Sequence, residues 1–112
     1  MKLNLLAREL NVEILHAGDR FETTDVRCVI ASDLMSDVLV IDRPSPLIVT
    51  SLASDQTLRT ADIIGACGVL VVNGKNLPAN MTLLAAEYKI TLLRTHLPKF
   101  DACLKLGRAL GY

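Results

Sequence analysis

Two pairs of polar side chains lie four residues apart within one short segment of the chain. Asp33 and Asp37 form the first pair, and Ser32 and Ser36 form the second. On a helix such residues share one side, so the two carboxylates repel each other unless a metal, a lysine or a partner chain neutralises them. A second interpretation needs no ligand, because Ser32 can cap the helix and Asp33 can interact with the helix dipole.

A second candidate site is the segment Asn73-Gly74-Lys75, which follows an apolar run and precedes a helix pattern. Backbone amides in such a position can bind an anion, and Lys75 would add positive charge. The alternative interpretation is an ordinary turn between a strand and a helix. The chain contains neither a glycine-rich dinucleotide fingerprint nor a phosphate-binding P-loop.

Nucleophilic catalysis requires a base beside a nucleophile, and His96 with Ser51 or Thr95 is the one combination that the chain offers. No Gly-x-Ser-x-Gly segment is present, and a solvated loop histidine is the simpler interpretation of His96. The three cysteines lie far apart, without metal-type spacing. We therefore expect no catalytic residues, no metal site and no cofactor.

The composition limits the class of protein. The chain has 112 residues, which suits a single domain over 1–112. Twelve basic residues balance twelve acidic ones and aromatic residues make up 4%, which argues against binding to nucleic acid or to an anionic membrane. No apolar run approaches the roughly 18 residues that span a bilayer, and the first residues do not resemble a signal peptide. We therefore expect a cytoplasmic protein.

Strand and helix patterns alternate along the chain. Strand patterns are short apolar runs that end in small polar residues, and helix patterns repeat apolar residues three and four positions apart. The predicted strands cover 12–15, 26–31, 47–50, 69–72 and 90–93, and the predicted helices cover 3–10, 33–39, 54–67 and segments that begin at 78 and 98. This order predicts a three-layer α/β/α fold with a mostly parallel sheet of about four to five strands and helices on both faces.

The apolar residues also predict buried faces. Gly68 is expected to end the third helix in a left-handed conformation, and the last helix is expected to turn Phe100, Cys103 and Leu104 inward. The chain is 51% hydrophobic with a mean hydropathy of +0.38, and the consecutive apolar residues 38–41 would make a helix apolar all round. We therefore expect a homodimer that buries this surface about a two-fold axis.

Several segments together resemble the DRTGG domain, a relative of the amino-terminal domain of HPr kinase. The resemblance runs from about residue 1 to 107, and its most specific part is the Ser-Asp-x-x-Ser-Asp-Val segment at 32–38. It also rests on 47–50, on 68–74 with Pro78, and on 83–95. The segment at 32–38 is typical of small stand-alone members, which are often encoded beside hydrogenase genes.

The chain departs from the family pattern at two loops. The family has an Asp-Arg pair after the third strand and Thr-Gly-Gly after the fourth, whereas this chain has Thr50-Ser51-Leu52 and Val72-Asn73-Gly74. One glycine of the family pair is retained. The kinase active site lies in a different domain, so the resemblance implies no kinase activity.

In related proteins the domain lies beside phosphotransacetylase or between regulatory CBS domains of a pyrophosphatase. The resemblance therefore implies a non-catalytic regulatory or interaction module, homodimeric, with a hydrogenase-related protein as a candidate partner. A sensor of a nucleotide or acyl-phosphate metabolite and a small hydrolase or transferase are the alternatives. Any ligand is expected at the carboxyl edge of the sheet. The residues expected to bind it are Ser32, Asp33, Ser36, Asp37, Thr50, Ser51, Asn73, Gly74, Lys75 and Thr95.

Overall fold

The computed structural model describes residues 1–112 and contains five strands and five helices. The strands are β1 (Glu13–His16), β2 (Val29–Ala31), β3 (Leu47–Thr50), β4 (Gly68–Val71) and β5 (Thr91–Arg94). The helices are α1 (Leu3–Leu10), α2 (Met35–Leu39), α3 (Asp55–Ile64), α4 (Ala79–Tyr88) and α5 (Lys99–Ala109). Each of them overlaps an element that the sequence patterns predict.

One five-stranded sheet has the strand order β1-β5-β4-β3-β2. The pairs β2–β3, β3–β4 and β4–β5 are parallel, and β1 joins β5 as an antiparallel edge strand. A parallel pair needs a crossover connection, and α2, α3 and α4 supply these connections. The predicted α/β fold with a mostly parallel sheet is confirmed.

The two faces of the sheet carry separate cores. Because successive strand side chains point to opposite faces, Ile48 packs in the layer of α2, α3 and α4, whereas Leu47 and Val49 pack in the layer of α1 and α5. All four residues of β3 are buried, as are all four of β4. Burial on both faces explains why these strands are unbroken apolar runs rather than alternating ones.

The end of α3 differs from the prediction. The helix ends at Ile64 because Gly65 takes the left-handed conformation, with φ of 69°, which a glycine adopts without steric cost. The Ala66 amide donates to the Ala61 carbonyl at 2.9 Å, which closes the final turn. Gly68 is the first residue of β4, so the predicted cap at Gly68 is wrong.

The buried face of α5 also differs from the prediction. Ala102 and Leu106 are buried, whereas Phe100 is 73% and Leu104 is 41% exposed. Two residues correspond to about 200° of rotation on a helix, so Phe100 and Leu104 point away from the face that meets the sheet. Cys103 is half-buried against this core.

The segment 38–41 is not a continuous helix. α2 ends at Leu39, and Val40 follows it as the C-cap residue. Val38 is fully buried, while Leu39 is 44% and Val40 is 80% exposed. The apolar residues are thus divided between the core and the surface. The expected all-round apolar helix is therefore wrong, although an exposed apolar surface remains.

No helix has the length and apolarity that crossing a membrane requires.

Candidate functional site

The carboxyl ends of β2, β3, β4 and β5 meet at one edge of the sheet because these four strands are parallel. We call this the carboxyl edge, formed by the loops at 32–34, 51–54, 72–78 and 95–98. Open α/β sheets bind their ligands at this edge. Eight of the ten predicted site residues lie in these loops or at the last position of β3, and the exceptions are Ser36 and Asp37.

The carboxylate of Asp33 links the ends of β2 and β3 to the start of α5. Asp33 Oδ1 accepts hydrogen bonds from the Thr50 hydroxyl at 3.0 Å and from the Ser51 amide at 2.7 Å. Asp33 Oδ2 accepts from the Ser51 hydroxyl at 2.9 Å and also contacts the Lys99 ammonium group at the start of α5. We call Asp33, Thr50, Ser51 and Lys99 the Asp33 cluster. It ties the ends of β2 and β3 to α5.

The cluster holds a negative charge at the carboxyl edge. Burial raises the pKa of Asp33, but hydrogen bonds from Lys99, Ser51 and Thr50 lower it by more. The resulting pKa lies well below the ordinary value of 3.8. Hydrogen bonds to the ionised form stabilise that form. Asp33 is therefore a permanent anion at neutral pH and a weak base, suited to positioning and binding rather than to proton abstraction.

The helix-capping interpretation of this segment is wrong. Asp33 precedes α2, which begins at Met35, so Asp33 and Asp37 do not share a helix side. The N-cap position is Leu34, without a side-chain cap. Ser32 Oγ instead accepts from the Leu34 amide at 3.2 Å in a local turn. Ser36 and Asp37 are exposed on α2.

The loop after β4 uses its own amides internally. The Asn73 amide donates to the Leu97 carbonyl at 2.8 Å, and the Gly74 amide donates to the Thr95 carbonyl at 3.0 Å. α4 begins five residues after Gly74, at Ala79. These two amides are therefore occupied and lie away from a helix end, which favours the ordinary turn over an amide site for an anion.

Asn73 instead supports the Asp33 cluster. Its side-chain oxygen accepts from the Lys99 amide at 3.2 Å, which fixes the first turn of α5. Its backbone has a φ of 68°, a left-handed conformation that asparagine tolerates. Asn73 thereby links the loop after β4 to the residue that neutralises Asp33. Lys75 is exposed in the same loop.

Thr95 and His96 follow β5. Thr95 is buried, and its hydroxyl accepts from the Leu97 amide at 3.2 Å. His96 is exposed, and its ring lies against Gly74, where an added Cβ would meet the ring Nδ1 at 2.8 Å. Gly74 also has a φ of 62°. The backbone conformation at this position therefore favours glycine, and a larger residue would displace the imidazole ring.

A cleft of about 340 Å³ opens on the other side of β5. It shares only Thr95 with the ten predicted site residues, and His96 also lines it. An ion pair joins Arg94 Nη2 to Glu13 Oε2 at 2.6 Å in its wall, and Lys105 adds a further cation. Its lining residues are Leu10, Asn11, Glu13, Arg94, Thr95, His96, Leu97 and Lys105.

The sequence interpretation missed Lys99. Its ammonium group meets Asp33 across 66 residues of chain. One signal was available, because Lys99 directly follows the helix-opening Pro98, and a cation in a first helical turn is disfavoured by the helix dipole. A lysine in that position indicates a nearby anion, although the sequence does not say which one.

The Asp33 cluster predicts a dependence of stability on pH. The folded-state pKa of Asp33 is lowered from 3.8, so the unfolded chain takes up the proton first as the pH falls. The stabilisation is complete above the unfolded pKa and is lost as the pH falls through the lower folded pKa. Chemical denaturation from pH 6 down to pH 2.5 should show the free energy of unfolding decreasing below about pH 4. Asp33→Asn should reduce this decrease.

The pH measurement needs a defined background. The hydrogen bond from Lys2 lowers the pKa of Asp25, which acts in the same window, so the comparison is made in an Asp25→Asn chain. Asp37→Asn on α2 is the matched control, since Asp37 lies outside the cluster. An equal pH dependence in the Asp33→Asn and Asp37→Asn chains would contradict the role given to Asp33.

Comparisons with known proteins identify the class of fold. No family model matches the sequence, and no curated protein matches it either. One solved structure that does match is the regulatory region of Clostridium perfringens pyrophosphatase, with its CBS and DRTGG domains, complexed with its activator diadenosine tetraphosphate. The TM-score is 0.71 at 13% identity, and the match covers 94% of this chain and 45% of that chain.

This similarity concerns the fold. The chain has a DRTGG-like α/β fold similar to part of a regulatory region, which confirms the structural part of the predicted resemblance. The chain spans less than half the length of that relative.

Proposed function

We propose that this chain is a regulatory module that binds a small anionic ligand at the carboxyl edge and performs no catalysis. Two findings support the proposal. The fold is similar to a regulatory region that was solved with a nucleotide activator, and the carboxyl edge carries a set of donors that stabilises negative charge. We also propose the finer relationship to stand-alone DRTGG domains and to the amino-terminal domain of HPr kinase.

The observation that carries the proposal is the convergence of four donor groups on the Asp33 carboxylate. They are one ammonium group, one amide and two hydroxyls, contributed by Lys99, Ser51 and Thr50. Charge-assisted hydrogen bonds of this kind also bind phosphate. The Lys99 side chain is 33% exposed, so a ligand phosphate can reach it from solvent, where it would take the place of the Asp33 carboxylate on these donors.

The chemistry of this set favours a phosphorylated ligand, either a nucleotide or an acyl phosphate. Lys99 and Ser51 would bind the phosphate. Ser32, Ser36 and Asp37 would form one rim of the site. Asn73, Gly74, Lys75 and Thr95 would form the other rim, where Lys75 offers a second cation.

The Asp33 cluster also supports a role without catalysis. The Ser51 hydroxyl donates a hydrogen bond to Asp33, which is a weak base because its pKa is lowered. The Thr95 hydroxyl accepts a hydrogen bond from a backbone amide. Neither hydroxyl is paired with a group that would activate it as a nucleophile. If phosphatase or acyl-transfer activity were found and His96→Ala abolished it, the hydrolase alternative would replace this proposal.

We propose in addition that the module is cytoplasmic, forms a homodimer and binds a protein partner, with a hydrogenase-related protein as the candidate that the family resemblance implies. The exposed apolar residues Leu39 of α2 and Phe100 and Leu104 of α5 support self-association, because apolar surface of this kind is buried at protein interfaces.

A thermal-shift panel with a charge-removal variant tests the ligand site. The probes are ATP, ADP, diadenosine tetraphosphate and acetyl phosphate. A ligand that binds only the folded state stabilises it by about 2.7 kcal/mol when the ligand concentration is 100 times its Kd. The wild-type melting temperature should rise with at least one probe, and Lys99→Gln should lose that rise. Lys105→Gln is the matched control, because Lys105 lies on the same helix and lines the cleft beyond β5.

The two lysine variants separate the two candidate locations. If Lys105→Gln loses the shift and Lys99→Gln keeps it, the ligand binds in the cleft and the proposed site is wrong. If no phosphorylated probe shifts the wild-type protein, the assignment of the ligand class is wrong.

A further inference from the structure

The donor groups of the Asp33 cluster are all occupied by one side chain of the protein itself. Asp33 Oδ1 accepts hydrogen bonds from the Thr50 hydroxyl and the Ser51 amide, and Oδ2 accepts from the Ser51 hydroxyl and the Lys99 ammonium group. An ionised carboxylate has sites for about four such bonds, so Asp33 uses its full capacity. A ligand phosphate that needs the same donors therefore finds them taken.

Charge prevents Asp33 and a phosphate from sharing these donors. Asp33 is a permanent anion at neutral pH because its pKa is lowered, so it does not become neutral when a second anion approaches. Lys99 is the cation paired with it, and one positive charge does not neutralise a carboxylate together with a phosphate. Two anions on one set of donors would repel each other. Binding of the phosphate therefore requires that the Asp33 carboxylate leaves.

We propose that Asp33 is an internal competitor of the ligand, which must expel this carboxylate from the donors of Thr50, Ser51 and Lys99 in order to bind. The inference rests on the proposed function, since it concerns the same donors, and it adds how the site is regulated. The competition lowers the affinity for the phosphorylated ligand, because the donors are free in only a fraction of the molecules. The expulsion of Asp33 also converts binding into a change of the segment that carries it.

The segment that carries Asp33 leads directly into α2. This helix has five residues, and Leu34 at its N-cap makes no side-chain cap. The Leu34 carbonyl accepts from the Asp37 amide at 3.0 Å and from the Val38 amide at 3.3 Å. Leu34 is 57% exposed, so the polar contacts of this turn to β3 and α5 come from Asp33. Their loss would loosen the first turn of α2.

Two anchors confine the movement to residues 33 and 34 and the first turn of α2. Before these residues, the Ser32 amide donates to the Val49 carbonyl at 3.0 Å. After them, Met35 and Val38 are buried in the core beneath α2 and α3. Ligand binding would therefore change the surface at the start of α2 while the sheet stays as it is, and the changed surface would signal that the site is occupied.

Isothermal titration of the intact chain with ATP, ADP, diadenosine tetraphosphate and acetyl phosphate tests the competition. Asp33→Asn keeps the size of the side chain and one acceptor oxygen but removes the charge that holds Lys99. The Kd of a probe that binds the wild type should fall at least about 10-fold in this variant, because the ligand no longer breaks a hydrogen bond between charged groups. Asp37→Asn is the matched control, since Asp37 is an exposed carboxylate of α2 outside the cluster. Its Kd should stay close to the wild-type value, because salt screens exposed charges.

Hydrogen exchange of the wild-type chain tests the same inference without any substitution. When the tightest-binding of the four probes saturates the protein, the Leu34 and Asp37 amides should exchange faster, because the turn that they close is released. A ligand that bound without expelling Asp33 would slow this exchange or leave it unchanged. Either of those results, or an Asp33→Asn chain that binds no more tightly than the Asp37→Asn chain, overturns the competition and leaves the proposed function in place. If none of the probes binds the wild type or Asp33→Asn, the proposed function is wrong as well.

Discussion

Gly18→Ala should destabilise the fold by about 3 kcal/mol or more, since overpacking against a rigid neighbour commonly costs 1–3 kcal/mol and sometimes more. Gly18 lies just after β1, against the chain that enters β5. An added Cβ would lie 2.4 Å from the Lys89 carbonyl oxygen and 2.7 Å from the Thr91 amide nitrogen. Both neighbours are backbone atoms, so a side-chain movement cannot relieve the clash.

The effect should extend to the register of β5. The Gly18 amide donates to the Thr91 hydroxyl at 3.0 Å, and the Asp19 amide donates to the Lys89 carbonyl at 3.3 Å. These bonds hold the segment after β1 against the start of β5, and relieving the clash would break them. A melting experiment at fixed protein concentration should show a fall of roughly 10 °C or more.

Gly107→Ala is the matched control for this prediction. Gly107 lies inside α5, and its added Cβ would meet only the Tyr112 Cβ at 3.8 Å, an ordinary van der Waals contact. Alanine should stabilise the helix by roughly 0.5–1 kcal/mol relative to glycine. If Gly18→Ala melts at the wild-type temperature, the close approach of the two backbones is not present in solution.

Leu58→Ala should cost about 3 kcal/mol, within the range measured for Leu→Ala in protein cores. Leu58 is fully buried on the face of α3 that covers the sheet, and it packs in the same cluster as Ile48 and Val69. The substitution removes apolar contacts and leaves a cavity that the surrounding strands cannot fill. Urea denaturation should show a lower midpoint with an unchanged slope.

Ile63→Ala on the same helix separates burial from helix propensity. Ile63 is 72% exposed, so its truncation should change the unfolding free energy by no more than about 0.5 kcal/mol. Alanine also has the higher helix propensity. Equal effects of the two substitutions would mean that the buried face of α3 is assigned incorrectly.

The sequence was informative wherever the structure depends on local pattern. The runs at 47–49 and 69–72 are apolar without interruption because both faces of β3 and β4 are covered. The polar residues that follow each run mark the carboxyl edge, and Asp33, Thr50 and Ser51 do come together there. Where a boundary depends on the conformation of one residue, the pattern was less reliable. Gly68 was predicted to end α3, but Gly65 takes the left-handed conformation and the helix ends before it.

The roles within the carboxyl edge were not local. The sequence interpretation gave Asp33 either a ligand contact or an interaction with a helix dipole, but its strongest partner is Lys99, 66 residues away. It left the amides of Asn73 and Gly74 open between an anion site and an ordinary turn, and they bond to the carbonyl groups of the segment after β5. The partners of Asp33 and of the two amides were missed for one reason. A single sequence shows which groups need hydrogen-bond partners, but it does not show which distant residues supply them.

The sequence by itself determined the α/β alternation, the mostly parallel sheet and the edge at which polar strand ends gather. These follow from hydrophobic periodicity and from the helix predicted between one strand and the next, because such a crossover is what parallel strands need. Only the tertiary structure decided that β2 lies at an open edge, that α5 exposes Phe100, and that Lys99 neutralises Asp33. Strand order and helix rotation depend on long-range packing of two cores against one sheet, and this packing has no signature in local spacing.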